Sequence, residues 1–324
     1  MLDLDTSRLK NKKSLLAFSA GVDSSALFFL LIEKNIHFDI AIVNYGQREQ
    51  SQEEVKYAKA LARKYKLFCH TISAPAFKTA FEEKAREFRY EFFESLIQIE
   101  GYDNLLTAHQ LNDQLEWLLM RLSRGAGLSE LLGLKSITEK PKYTLLRPLL
   151  SHTKASLIEY LESHKHRYFI DKSNEDLKYE RNRFRKKFSN ALIEEYSEGI
   201  KRSFSYLSQD KILLESEFER IYENKSLRII KLNTVKSKAK ACDIELKTLG
   251  YLLSASQRDE IGKENSLVIG GKWAIETEEN LLYIAPYREA IMPKVFKESC
   301  RKAKIPQKIR PYLFEEEIDP FSLF

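Results

Sequence analysis

The sequence predicts an α/β fold, a doubly wound parallel sheet, followed by a smaller, mainly helical α+β part. Three observations carry this. Over residues 1–150, short apolar runs alternate with amphipathic segments, the pattern of strands crossed over by helices in a sheet covered on both faces. From about residue 188 that alternation stops and helical periodicity takes over. A chain of 324 residues, 43% of them apolar, is long enough for two cores.

The elements follow in order. KSLLAFS (13–19) reads as a buried strand and SSALFFLLIEKN (24–35) as a helix. FDIAIVNY (38–45) is the second strand, and the Ala/Lys/Glu-rich stretch 50–66 the second helix. LFCHTI (67–72) is a third strand, 78–99 a long helix, and DNLLTA (103–108) a fourth strand. LNDQLEWLLMRLSR (111–124) is helical, with Leu115, Leu118, Leu119 and Leu122 on one side. Residues 191–224 hold neither Pro nor an interior strand signal and read as one or two long helices. SLVIGGKWAIETEENLLYIAPY (266–287) reads as a hairpin turning at Gly270-Gly271. The domain boundary is placed at 187/188, a nucleotide-binding catalytic domain over 1–187 and a helical linker with a substrate-recognition domain over 188–324. No Pro/Gly linker separates them, so a helix is expected to join the two.

Composition narrows the function. No apolar run approaches the roughly 20 residues a membrane span needs, and the start of the chain lacks a signal-peptide layout, which reads as cytoplasmic. Cys69, Cys242 and Cys300 lie far apart with no CxxC pair, against a structural zinc, iron–sulfur or disulfide framework. The net charge of +6 is unevenly spread. Residues 163–187 carry nine Lys/Arg against four Asp/Glu, and 294–310 carry seven against one. Such local excess points to a polyanion partner, with an ordinary solvated face as the alternative.

Two stretches carry chemistry. FSAGVDSSAL (18–27) begins where the first strand ends and runs into the next helix. Amide groups at a helix N-terminus attract phosphate, and Gly21 lets the backbone come close. Asp23 fits such a site if it holds a divalent cation that neutralises the phosphates. The bland alternative is a Ser/Asp cap on an ordinary helix. In TAHQLNDQLEWLLMRLSRGAG (107–127), His109, Asp113 and Glu116 have the i, i+4, i+7 spacing of one helix face, at the end of the fourth strand, where doubly wound sheets place ligands. The GxxxxGK[ST] pattern of a Walker A loop is absent.

These stretches resemble a known family. Residues 18–25 resemble the SGGxDS PP-loop of ATP pyrophosphatases, with Ala20 in place of the second Gly, a replacement that requires negative φ there. Residues 107–127 resemble the AHHxDDQxETxLLRLxRGAG motif of tRNA(Ile)-lysidine synthetases, with Gln110, Asn112 and Trp117 as departures. In the same order, VNYGQREQS (43–51) resembles VDHGLRxES, AREFRYEFF (85–93) resembles ARxxRYxFF, LLRPLLSHTKASLIEYL (145–161) resembles the RPLL segment, and DKSNEDLKYERNRFRKK (171–187) resembles DxSNxDxxYxRNRxR. Looser similarity to the family's substrate-recognition region continues through 240–287.

The resemblance implies an adenine nucleotide alpha hydrolase-like sheet and a ligase. ATP would activate the C2 oxygen of the wobble cytidine of a tRNA(Ile) with a CAU anticodon, and free L-lysine would displace AMP to give lysidine. It implies ATP bound by Ser19, Ala20, Gly21, Val22, Asp23, Ser24 and Ser25, and Mg²⁺ held by Asp23 and Asp113. His109 would polarise or position the transferred phosphate, and Arg86 and Glu116 would contact cytidine or lysine. Arg181, Arg183 and Arg185 would clamp tRNA phosphate, and a homodimer is left open. Two alternatives remain at this point. A PP-loop tRNA thiolase would show paired cysteines, which this chain lacks. A catalytically dead tRNA-binding protein would not be expected to keep Asp23, His109 and Asp113 together.

Overall fold

The computed structural model describes residues 2–46, 49–77, 79, 81–170 and 176–323. The chain divides into two compact units, 1–208 and 209–324.

The first unit is a six-stranded sheet in the order β3-β2-β1-β4-β6-β5. Its strands are β1 (Ser14–Ala17), β2 (Asp39–Asn44), β3 (Cys69–Ser73), β4 (Asn104–Leu106), β5 (Ile137–Glu139) and β6 (Thr144–Leu146). All pair in parallel except β5, which runs antiparallel on the edge. The helices are α1 (Val22–Glu33), α2 (Glu49–Tyr65), α3 (Phe81–Glu100), α4 (Leu111–Leu122), the short α5 (Leu128–Leu131), α6 (Lys154–Ser163), α7 (Glu180–Phe184) and the first part of α8 (Asn190–Glu215).

Strand alternation divides the core between the two faces. Leu16, Ile40, Ile42 and Leu106 point to one face with Phe28, Leu31 and Leu61. Leu15, Ala41 and Leu105 point to the other with Phe93 and Ile97 of α3. That two-sided burial is why these strands are apolar throughout. β1 sits between β2 and β4, so the strand order reverses there. Leu16 is in register with Leu106, so the loops after β1 and β4 leave the sheet at one level. This crevice is the switch point where such sheets bind ligands.

The expected boundary at 187/188 is replaced by 208/209. Ile193 and Phe204 of α8 bury against Leu111, Leu115 and Leu132, so the first half of that helix belongs to the sheet unit. α7 enters α8 through a π-helical turn, Arg185–Ser189.

In the second unit the helical expectation for 191–224 fails at its end. α8 stops at Glu215 and Phe218–Asn224 is a strand, β7. It joins β8 (Leu227–Leu232), β9 (Ser266–Ile269), β10 (Trp273–Glu278) and β11 (Leu281–Pro286) in an antiparallel sheet ordered β7-β8-β11-β10-β9. A bulge between Arg220 and Tyr222 moves the inward face. Phe218 therefore packs on one side and Tyr222 on the other, and the bulge interrupts the period-2 signal. The expected hairpin is the first half of a three-stranded meander, with both Gly270 and Gly271 at positive φ in its turn. α9 (Lys238–Thr248) and α10 (Ala255–Lys263) cover one face. α11 (Lys294–Lys302) and α12 (Arg310–Glu315) cover the other. The unit is α+β, its helices packed around one antiparallel sheet. Among the described residues no helix is long and apolar enough to cross a membrane.

Candidate active site

The loop after β1 is tied down before its helix begins. Phe18 N donates to Ala41 O at 2.9 Å and Phe169 N to Ala20 O at 2.9 Å. The Ser19 and Ser24 hydroxyls meet at 3.0 Å, and Ser19 N donates to Ser24 Oγ at 3.2 Å. Gly21 is the N-cap of α1 and supplies no side-chain acceptor, so the first-turn amides face outward as an anion cradle. Ala20 has φ +59° and no exposed surface, which corrects the expectation of negative φ. A left-handed alanine costs about 1–2 kcal/mol, and burial of its methyl group in the core beneath returns about 0.8 kcal/mol.

Asp23 follows directly. Its Oδ1 is sealed from solvent and has no hydrogen-bond partner. Burial, reinforced by the Asp113 carboxylate, pushes its pKa up to about 6 against the pull of Lys154, Arg185 and Arg181. A buried orphan oxygen facing a second carboxylate is an arrangement that a divalent cation would satisfy, so the residues fit the expected metal.

The loop after β4 departs from the expected helix face. α4 begins at Leu111, and Gln110 is its extended N-cap, so His109 stands outside the helix. Its position is set by Thr107, whose Oγ1 lies 3.0 Å from His109 Nδ1. Burial lowers the His109 pKa to about 3, helped by Arg147, Arg181, Arg86 and Arg89, so the imidazole is neutral. Asp113 and Glu116 do share a face of α4. Asp113 accepts from the Gln110 amide at 2.9 Å through Oδ2 and from Arg181 through Oδ1.

Glu116 has no exposed surface. Arg181 Nε reaches its Oε2 at 2.7 Å, and Arg185 holds Oε1 at 2.7 Å and Oε2 at 3.0 Å. Glu116, expected to meet substrate, anchors both guanidinium groups in this structure. Burial opposes the charge on Arg181, but Asp113 and Glu116 more than offset it and raise its pKa. Arg183 turns away and caps Leu177 O and Lys178 O at 3.0 and 2.8 Å. Arg86 is exposed on α3, its guanidinium 4.8 Å over the Tyr90 ring. Residues 171–175 of the run resembling DxSNxDxxYxRNRxR, and 47–48 of VNYGQREQS, lie outside the described residues.

Two basic residues were missed by sequence reasoning. Arg147 is 7% exposed and acts on His109. Lys154 acts on Asp23, and its amide donates to Asn112 Oδ1 at 3.1 Å. Both lie in the RPLL segment, a motif that carries no role of its own in the sequence. The Asn112 departure serves this contact, joining the starts of α4 and α6. Cys69 is half-buried, and Cys242 and Cys300 are buried on opposite faces of the second sheet.

Comparison with known proteins agrees with this geometry. The model of the PP-loop domain family matches residues 3–192. A tRNA(Ile)-lysidine synthase of Wolinella succinogenes is 47% identical over 313 residues, 96% of each chain. The Campylobacter jejuni protein of the same name is 46% identical, covering 98% of this chain and 97% of its own. That of Helicobacter pylori is 41% identical over 95% of this chain and 91% of its own. Among solved structures, the U34-tRNA thiolase NcsA from Methanococcus maripaludis superimposes with a TM-score of 0.51 at 18% identity, covering 61% of this chain and 72% of that one. At that identity it speaks for the fold alone. With a PP-loop at the switch point and near full-length similarity to three such enzymes, this chain belongs to the PP-loop domain family and, within it, to the tRNA(Ile)-lysidine synthases.

Proposed function

We propose that this chain is an ATP-dependent ligase of the cytoplasm that adenylates the wobble cytidine of tRNA(Ile) with a CAU anticodon and joins free L-lysine to it. The observation that carries the reading is the buried, unpartnered Asp23 Oδ1 at an uncapped helix N-terminus, opposite Asp113. The C2 oxygen of cytidine attacks the α-phosphorus of ATP and pyrophosphate leaves. The lysine side-chain amine then attacks C2, AMP departs with the oxygen, and the amine gives up its proton.

The outward amides of α1 and the close backbone at Gly21 hold the phosphates. Asp23 and Asp113 would hold Mg²⁺, which supplies charge neutralisation of the phosphates and the leaving pyrophosphate. Arg181, fixed by Glu116, brings a permanent positive charge to the same place. His109 enters neutral, with Nδ1 engaged by Thr107. Burial holds its pKa down, with the nearby arginines adding to it; anionic substrates would offset only the arginines' part, so it stays a neutral hydrogen-bonding partner for the reacting groups. The exposed Arg86 and the basic runs suit tRNA phosphate.

The test is transfer of radiolabelled lysine to unfractionated tRNA, with and without ATP, followed by pyrophosphate release. ATP-dependent label in tRNA(Ile) alone is expected. Pyrophosphate release that proceeds without tRNA, or label spread over all tRNAs, would overturn the reading.

A further inference from the structure

Arg147 directly follows β6 at the carboxyl edge of the sheet. The carbonyl of Leu146 accepts from Thr107 N at 3.0 Å, and Thr107 holds His109. Arg147 therefore belongs to the reaction end of the fold. Its Nη1 donates to Lys135 O at 2.7 Å and to Thr138 Oγ1 at 3.2 Å, which fixes one corner of the guanidinium. Its Nε is buried with no acceptor. Among the described residues no carboxylate forms an ion pair with Arg147, Arg86 or Arg89.

A buried guanidinium without a counter-anion is costly unless an anion arrives. The free Nε edge has the shape that a planar carboxylate meets side-on. The phenol of Tyr90 interacts with Arg147, a neutral group where a negative one would fit better. The nucleotide phosphates are accounted for by the loop at 19–25 on the Asp23 side. Arg86 and Arg89 are exposed and one turn apart on α3, suited to phosphate on a large polymer. A covered donor suits a small anion.

We propose that Arg147 seats the α-carboxylate of the free amino-acid substrate, orienting its side-chain amine toward the activated base. The assignment rests on the reading above that a free amino acid is the second substrate. It makes Arg147 a specificity residue for amino acids over simple amines.

The test compares lysine with cadaverine, which is lysine without its carboxylate, in ligation to tRNA(Ile). The wild type should prefer lysine in kcat/KM by about 10- to 150-fold, the range of charge-assisted hydrogen bonds. Arg147→Gln should bring that preference near unity through a raised KM for lysine. A purely structural role would depress both amines alike and leave the ratio intact, which overturns the assignment, as does a wild type that uses both equally. Should Arg147→Gln fail to fold, Arg147→Lys carries the test, and its preference must fall below that of the wild type. A wild type that transfers neither amine defeats the functional reading itself, before any variant is made.

Discussion

Asp23→Asn should make the protein more stable and inactive at once. In the folded chain the Asp23 carboxyl ionises near pH 6, against an ordinary value of 3.8, because it is buried and faces Asp113. A raised carboxyl pKa means that the native state resists ionisation. Below pH 4 both folded and unfolded chains hold the proton, and the site carries no penalty. Between pH 4 and 6 the unfolded chain ionises first, so stability falls as pH rises. Above pH 6 the penalty is complete, at most about 3 kcal/mol. Asparagine never ionises, so the variant should gain up to about 3 kcal/mol at pH 7.5, a rise of roughly 6–12 °C in melting temperature, and little at pH 4. Lysine incorporation should disappear, since the phosphates lose a cation ligand, while tRNA binding persists. Melting curves at both pH values, without Mg²⁺, give the answer. An equal gain at both, or a loss at pH 7.5, would refute the electrostatic account. Near-normal turnover would refute the role in the reaction.

Glu116→Gln should cost about 3–5 kcal/mol by leaving Arg181 and Arg185 short of their buried counter-charge, read as a lowered urea midpoint; a change under about 1 kcal/mol would show that the arginines find other partners. Ala20→Gly should alter stability by less than about 1 kcal/mol, because relief of the positive φ is offset by the lost methyl burial and the freer unfolded chain; chemical unfolding of the two proteins decides it. Neutralising Lys302, Lys304 and Lys308 together should weaken binding to cognate and non-cognate tRNA alike and lower the salt slope by roughly one unit for each phosphate no longer neutralised. In filter binding, an unchanged slope or a loss confined to cognate tRNA would sink that reading, and Lys304, already 3.3 Å from Glu279, should contribute least.

The parallel sheet was legible because its signal is local. β1, β2 and β4 are short apolar runs followed by helices, and burial on both faces demands that composition; β3, CHTIS, is only half-buried and was legible from its place between two helical stretches. β5 and β6 escaped although β4 is no longer than they are: they pair with each other antiparallel with no helix between them, so the strand–helix alternation that marks β4 is missing. β7 was lost to its bulge. The boundary at 208/209 was invisible for a different reason. α8 kinks at Tyr196 (φ −127°, ψ 20°), well before that boundary, and runs helically through it; only the burial of Ile193 and Phe204 against α4 shows how much of it the first unit owns.

The site was legible as a set of residue types and less so as a set of roles. The glycine, serines and aspartate after β1, and His109 with Asp113, come together as the motifs imply. Which carboxylate stays available depends on partners far along the chain. Glu116 is consumed by two arginines that follow it by 65 and 69 residues, and Asp113 on the same helix face shares Arg181 with it. Asp23, with no basic residue bonded to it, keeps an oxygen free. Spacing along α4 gives no hint of that asymmetry, because it arises from how α7 lies against α4. The same holds for Arg147. In sequence it is one basic residue before a proline. In the fold, two acceptors hold one end of its guanidinium while Nε lacks any. An uneven distribution of partners of this kind is what separates a group held ready for a ligand from one that merely braces the chain.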